Sequence, residues 1–284
     1  MKYLVKRNLL IFFRDRGSVF FSLLAVFIII GLYVLFLGDM LINNMQEMPG
    51  ARFLMDSWIM AGLIAVTPIT TSLGAMSSII VDKKYGMFKD FAASPIKRSS
   101  IALGYIASGF LISLILTLIT YVLAEVYIIA FGGNLLPFTA MIKVLGMILF
   151  TTASSSIMMF YLVSLFKSIN AFSAASTVVG TLIGFLTGIY IPVGSLPPAV
   201  QTAVKLFPPS HGAVILRRIM MGQAEKITFR GAPAAALDAF RLEMGASFRV
   251  GDIRLNSYAS LLYMALFMAG FTVLALIRIK RKGD

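Results

Sequence analysis

The sequence has no cysteine in its 284 residues, which excludes disulfides and thiolate metal sites. Histidine occurs once, at His211. A zinc site takes three or four ligands, so this residue reads as a helix-start histidine beside Pro-Pro-Ser. Charge is scarce at 13% of residues, with only 12 acids; soluble domains carry about 25% charged residues. H-E-x-x-H and G-x-S-x-G are absent, and no apolar run holds an acid pair, so a membrane-embedded enzyme lacks its catalytic cluster. G-x-x-x-x-G-K-S/T is absent too, so the chain encodes no phosphate loop for ATP. No internal repeat, low-complexity tract or inverted pair of broken helices stands out, which argues against a carrier built on inverted repeats.

Apolar residues are plentiful, at 59%. A spanning helix takes about 20 of them, and six stretches qualify: 19–37, 58–81, 101–124, 139–166, 171–191 and 257–277. The expected fold is all-α and integral to a membrane, a single permease domain over 1–284. The fourth stretch exceeds the length needed, which implies tilt or projection into the interface. The first is too long for the apolar core of a cleavable signal and lacks a small-x-small site. The 17 methionines are scattered and read as core filler.

The net charge of +13 does not point to nucleic acid, because the basic residues cluster at the ends of apolar runs. Residues 1–18 hold Lys2, Lys6, Arg7, Arg14 and Arg16; 82–100 hold Lys83, Lys84, Lys89, Lys97 and Arg98; the 278–284 tail holds Arg278, Lys280, Arg281 and Lys282. Lys167 sits in the 167–170 turn, whereas 38–57 and 132–138 contain only Arg52. Positive charge marks the cytoplasmic side, so both termini are expected there. The eight basic residues of 192–256 weigh little, because long segments translocate largely regardless of charge. Leu4, Val5, Leu9, Phe12 and Phe13 alternate with the first basic group, a pattern for a helix lying in the lipid interface. The same charges also serve as a plain topology anchor.

The densest charge falls on "DKKYGMFKDFAASPIKR", residues 82–98. Gly86 permits a turn. Phe88 and Phe91 are three apart and share one face of a helix. Ser94-Pro95 biases the chain out of helix before Lys97 and Arg98 anchor the next span. A short helix with two aromatics on one side fits a groove in another protein; its spacing equally fits a loop resting among lipid headgroups. The stretch resembles the segment between spans two and three of type-2 ABC (ABC-2) exporter permeases. Asp82 falls on that family's leading acid, Lys83 on its arginine, Gly86 on its glycine, Phe88 and Phe91 on apolar helix positions, Ser94-Pro95 on its Ser-Pro and Arg98 on its arginine. Lys84, Met87 and Lys89 depart from the pattern. The resemblance implies that 82–100 is a cytoplasmic coupling helix docked on a separate ATPase.

After the fifth span, Pro197-Pro198 suits a helix start, Pro208-Pro209 ends that helix, and 211–221 reads as another. Each helix would be about 15 Å long, half a bilayer. The pattern fits a re-entrant hairpin or two helices lying flat on the outer surface. The same family carries two short external helices that dip into the membrane, and Gly188, Pro192, Leu196, Pro197 and Phe207-Pro208 match that layout. The resemblance thus implies external re-entrant helices over 192–222, while 223–256 departs as a longer external insert with one helix near 232–245. Gly180, Gly184 and Gly188, continued by Ser176, form a small-residue stripe that permits close helix approach, within the subunit or at a dimer seam; the resemblance places it near the seam between permease halves and the translocation path. Glu125 and Lys143, at the outer ends of spans three and four, read as a structural ion pair or as interface anchors.

Together these features imply the membrane subunit of an ATP-driven exporter in the cell membrane. A separate ATP-binding cassette subunit would hold ATP and Mg, and a second permease subunit, identical or different, would complete the path. The cargo would be amphipathic: a drug, a lipid-linked polymer or a peptide. The rival expectation is an ATPase-independent channel or ion-coupled carrier.

Overall fold

A computed structural model of the chain describes residues 1–38, 45, 48–87, 90, 93–94 and 96–281. Six of its helices are long and apolar enough to cross a membrane: Arg16–Phe36, Ala51–Lys84, Arg98–Ala130, Phe138–Leu165, Ile169–Leu186 and Ser257–Arg278. The protein is an all-α, multi-pass integral membrane protein.

Helix α1 (Lys2–Arg14) precedes the first span, α2 (Arg16–Leu32). Asp15 separates them. Its carboxylate caps α2 by accepting from the Gly17 N–H and the Ser18 hydroxyl, and the Ser18 bond, first among its hydrogen bonds, holds its pKa below the usual carboxylate value. The second span is α3 (Ala51–Ala75) continued, after a break at Met76, by α4 (Ser77–Lys84). α3 is buried along almost its whole length. It packs against α2, against α5 (Arg98–Ala130) and against α6 (Phe138–Leu165). Hydroxyls stitch these apolar faces together: Thr71 to Ser113 at 2.7 Å and Ser72 to Ser156 at 3.0 Å. Interhelical bonds of this type contribute about 0.6–2 kcal/mol each in lipid.

α7 (Ile169–Leu186) and α12 (Ser257–Arg281) lie at the periphery with mostly exposed apolar faces. Between them, a 3₁₀ turn (Val193–Ser195) leads to α8 (Pro198–Leu206) and α9 (Pro208–Met220). Pro198 and Pro208-Pro209 occupy first-turn positions, where a missing N–H costs nothing, so the second helix starts at Pro208 rather than at 211. α8 keeps only Val204 buried, whereas α9 is buried from Pro208 to Arg217 against α3, α6 and α12.

A small cap follows: α10 (Gly222–Thr228), α11 (Ala234–Glu243) and a hairpin of β1 (Phe248–Val250) and β2 (Ile253–Leu255). Phe248 pairs with Leu255, Arg249 with Arg254 and Val250 with Ile253. α11 falls within the helix expected near 232–245; α10 and the hairpin were not expected.

Span boundaries differ from expectation in places; the fifth span ends at Leu186 rather than 191, with Gly188 at φ 63° just beyond it. The second span starts at Ala51 rather than 58, because Arg52 and Asp56 lie one turn apart and face each other. The third reaches Ala130 rather than 124, because Glu125 is buried and accepts a backbone N–H rather than ending the helix. The third span, at 33 residues, is therefore longer than the fourth, at 28.

Candidate functional site

The base of the 82–100 segment holds a charged junction. Arg7 on α1 donates both guanidinium nitrogens to Asp82, at 2.7 and 2.6 Å. Tyr105 on α5 donates its hydroxyl to the same carboxylate at 2.5 Å. The Asp82 side chain is 3% exposed and that of Arg7 31%, so the pair is shielded yet open to water on one side. The hydrogen bond to Asp82, assisted by its charge, raises the Arg7 pKa above the ordinary arginine value. Beside it, Asn8 donates to Ser108 at 3.1 Å. α1 approaches α5 so closely at Gly104 that a Cβ there would lie 2.7 Å from Leu4.

Lys83 turns the other way. Its ammonium donates to the carbonyls of Ser164 and Phe166, at 3.4 and 3.1 Å. Those carbonyls lie at the C-terminus of α6, where the helix dipole favours a cation. Two consecutive residues thus tie the end of span two to α1 and α5 on one side and to the α6–α7 turn on the other. Gly86 follows at φ 75°, a left-handed conformation natural to glycine, and ends α4. Ser94 sits in a bend, and Arg98 opens α5. Phe88, Lys89, Phe91 and Pro95 lie outside the described residues.

The opposite end of the bundle holds a second charged centre. Arg217 on α9 is 1% exposed. Its guanidinium lies 4.8 Å above the Trp58 ring and donates to Gly188 O at 2.7 Å and Gly245 O at 3.4 Å. Burial lowers its pKa from the ordinary arginine value. The Trp58 N–H donates to Met244 O at 2.7 Å. Span two, the end of span five and the cap therefore meet on one side chain. Nearby, His211 donates from Nε2 to Lys205 O at 2.8 Å, and its Nδ1 lies 3.2 Å from the Ser260 hydroxyl. Burial lowers the His211 pKa, so the neutral ring is the folded form. Its stability contribution is fully present above the unfolded value of about 6.5 and is lost as pH falls through the folded value. Melting temperature should therefore fall as pH drops below about 6.5, and less steeply in His211→Gln.

The expected stripe on α7 is divided. Gly180 is open, with nothing within 4 Å of a Cβ placed there. Gly184 is covered by the Tyr190 ring of the same chain. Gly188 lies beyond the helix end at φ 63°. Pro192 leads into the 3₁₀ turn, and Pro197 is the N-cap of α8. The expected Glu125–Lys143 pair does not form among the described residues: Glu125 accepts from Leu136 N at 3.4 Å, and Lys143 is exposed on α6. The ion pair at that end is instead Arg52–Asp56, at 3.7 Å, with Asp56 buried and Arg52 partly exposed. No cluster of metal-ligating residues occurs among the described residues.

The sequence model of the ABC-2 type transporter family matches residues 1–221. The chain belongs to that family. No curated protein matches it. The family match ends within one residue of the start of α10, so the cap lies beyond the matched residues. The Asp82 junction lies among them. As an ABC-2 protein, the chain is the transmembrane component of its transporter. Arg7 and Tyr105 were invisible as site residues because Arg7 read as one topology charge among five and Tyr105 as one aromatic within a span. A signal for Arg7 existed: Asn8 beside it is a polar residue on the buried side of an amphipathic helix.

Proposed function

We propose that this ABC-2 subunit exports an amphipathic cargo across the cell membrane, driven by a separate ATP-binding cassette ATPase and paired with a second permease subunit. The termini and the 82–100 segment face the cytoplasm, and the cap faces outward. ATP and Mg reside on the partner. The observation that carries this reading is the Asp82–Lys83 junction. Force applied to the 82–100 segment reaches α1 and α5 through Asp82, and the α6–α7 turn through Lys83. Rigid helices carry it across the bilayer to α9 and Arg217, where α8 and α9 act as re-entrant helices closing the external side. An amphipathic cargo fits spans whose interior polar groups are mainly hydroxyls. Purification of the tagged chain from its native membranes should recover an ATP-hydrolysing partner in stoichiometric amount. Solute transport with no such partner would return the chain to the channel or carrier reading.

Pairing is proposed along the open part of α7. Gly180→Leu should weaken pairing on cross-linking gels and leave subunit melting unchanged. Gly184→Leu should do the reverse, because its side chain meets Tyr190 within the same subunit.

A further inference from the structure

A cleft of about 490 Å³ lies between the proline-rich segment and the cap, within the roughly 300–1,000 Å³ typical of ligand sites. Val193, Leu242 and Phe248 give it apolar walls; Lys205, Glu243 and Arg249 bring charge. Two other arginines of the cap are used internally: Arg241 pairs with Glu225, and Arg254 with Asp238 at 2.6 Å. Lys205 and Arg249 have no carboxylate partner among the described residues. Glu243 accepts from Ser195 through one oxygen only, at 2.7 Å. Gln201 donates to the carbonyls of Gly194 and Leu196, at 3.1 and 2.9 Å, which fixes the rim.

The cleft lies beside the start of the last span. β2 ends at Leu255 and the last spanning helix begins at Ser257. At the hairpin tip Val250 is 55% exposed and Ile253 71%; Tyr258, at the head of the span, is 81% exposed. Apolar and aromatic side chains at such a position rest in the lipid interface. Phe248, on the cleft wall, contacts the His211 ring, which in turn contacts the Tyr263 ring of α12 at 4.3 Å. The Tyr263 hydroxyl donates to Leu206 O, and both Leu206 and Leu262 are exposed. Leu206 follows Lys205 of the cleft, so its exposed side chain joins the cleft to the exposed face of α12.

We propose that this cleft binds the headgroup of a phospholipid from the leaflet on the cap side. Lys205 and Arg249 hold the phosphate, Glu243 faces the ammonium of a zwitterionic headgroup, and an acyl chain follows Leu206, Tyr263 and Leu262. Two cations suit a phosphodiester, and arginine suits its paired oxygens. The assignment is independent of the ATPase reading.

The test is native mass spectrometry of the purified full chain, titrated with phosphatidylethanolamine, glycerophosphoethanolamine or inorganic phosphate. The Lys205→Gln/Arg249→Gln double variant is compared with Lys226→Gln/Arg230→Gln, which alters charges outside the cleft. Wild type and the control should hold one phosphatidylethanolamine, with affinity falling on the order of tenfold in the cleft variant at unchanged melting temperature. Glu243→Gln should weaken phosphatidylethanolamine relative to phosphatidylglycerol. Equal lipid retention by the cleft variant would overturn the site. Displacement by phosphate or the tail-less headgroup at matched concentration would overturn the lipid as its source.

Discussion

Asp82→Ala should destabilise the subunit by about 3 kcal/mol and uncouple it from its ATPase. Removing one member of a shielded ion pair costs about 3–5 kcal/mol, because the other charge is left without its partner. The lower end applies here, since Arg7 keeps some contact with water. Tyr105 loses its acceptor in the same change. Arg7→Ala should cost at least as much, because it leaves the Asp82 carboxylate, 3% exposed, with the Tyr105 bond alone. The double variant should be less destabilised than the sum of the two, with an interaction of at least about 1 kcal/mol. Chemical denaturation of the detergent-solubilised variants measures this. Uncoupling is read separately, as ATP hydrolysis by the reconstituted complex that no longer moves solute. Lys83→Gln should reproduce the uncoupling with a smaller stability loss, because it frees backbone carbonyls at a helix end that water can reach.

The second large effect is expected at Arg217. Arg217→Ala removes a stacked cation and its two carbonyl bonds, at about 2–4 kcal/mol. Arg217→Met should cost far less, since replacing a buried charge by an apolar side chain of similar volume is often close to neutral. The two variants therefore separate stability from linkage, because in both the Gly188 and Gly245 carbonyls lose their common donor. Trp58 is the only tryptophan of the chain, so its emission reports on this site alone. Quenching of Trp58 by a water-soluble agent should rise in both variants, and in Arg217→Met it should rise without a matching fall in melting temperature.

The spans were legible because lipid demands long apolar helices, and nothing else in the sequence competes with that signal. Their ends were less legible where polar residues satisfy one another inside the helix. Arg52 and Asp56 looked like loop residues, yet as an i, i+4 pair they continue α3. Glu125 looked like an interface anchor, yet the turn after α5 supplies its donor. Asp82 and Lys83 stood out as the edge of a charged segment, but their partners did not: Arg7 lies 75 positions from Asp82, and Phe166 lies 83 from Lys83. No periodicity joins positions so far apart. Arg217 was one basic residue in a long segment, and only the approach of α9 to Trp58 distinguishes it. The hairpin escaped because strands of three residues carry too little alternation to be read.

The central claim is that the segment after Asp82 engages a separate ATPase. A single cysteine tests it directly, because the chain supplies no other. Tyr85 is 69% exposed at the start of that segment. Tyr85→Cys, cross-linked in native membranes, should capture an ATP-binding cassette protein, whereas a cysteine replacing Ile227 on the cap should not. Capture from neither position, or equally from both, would contradict the account.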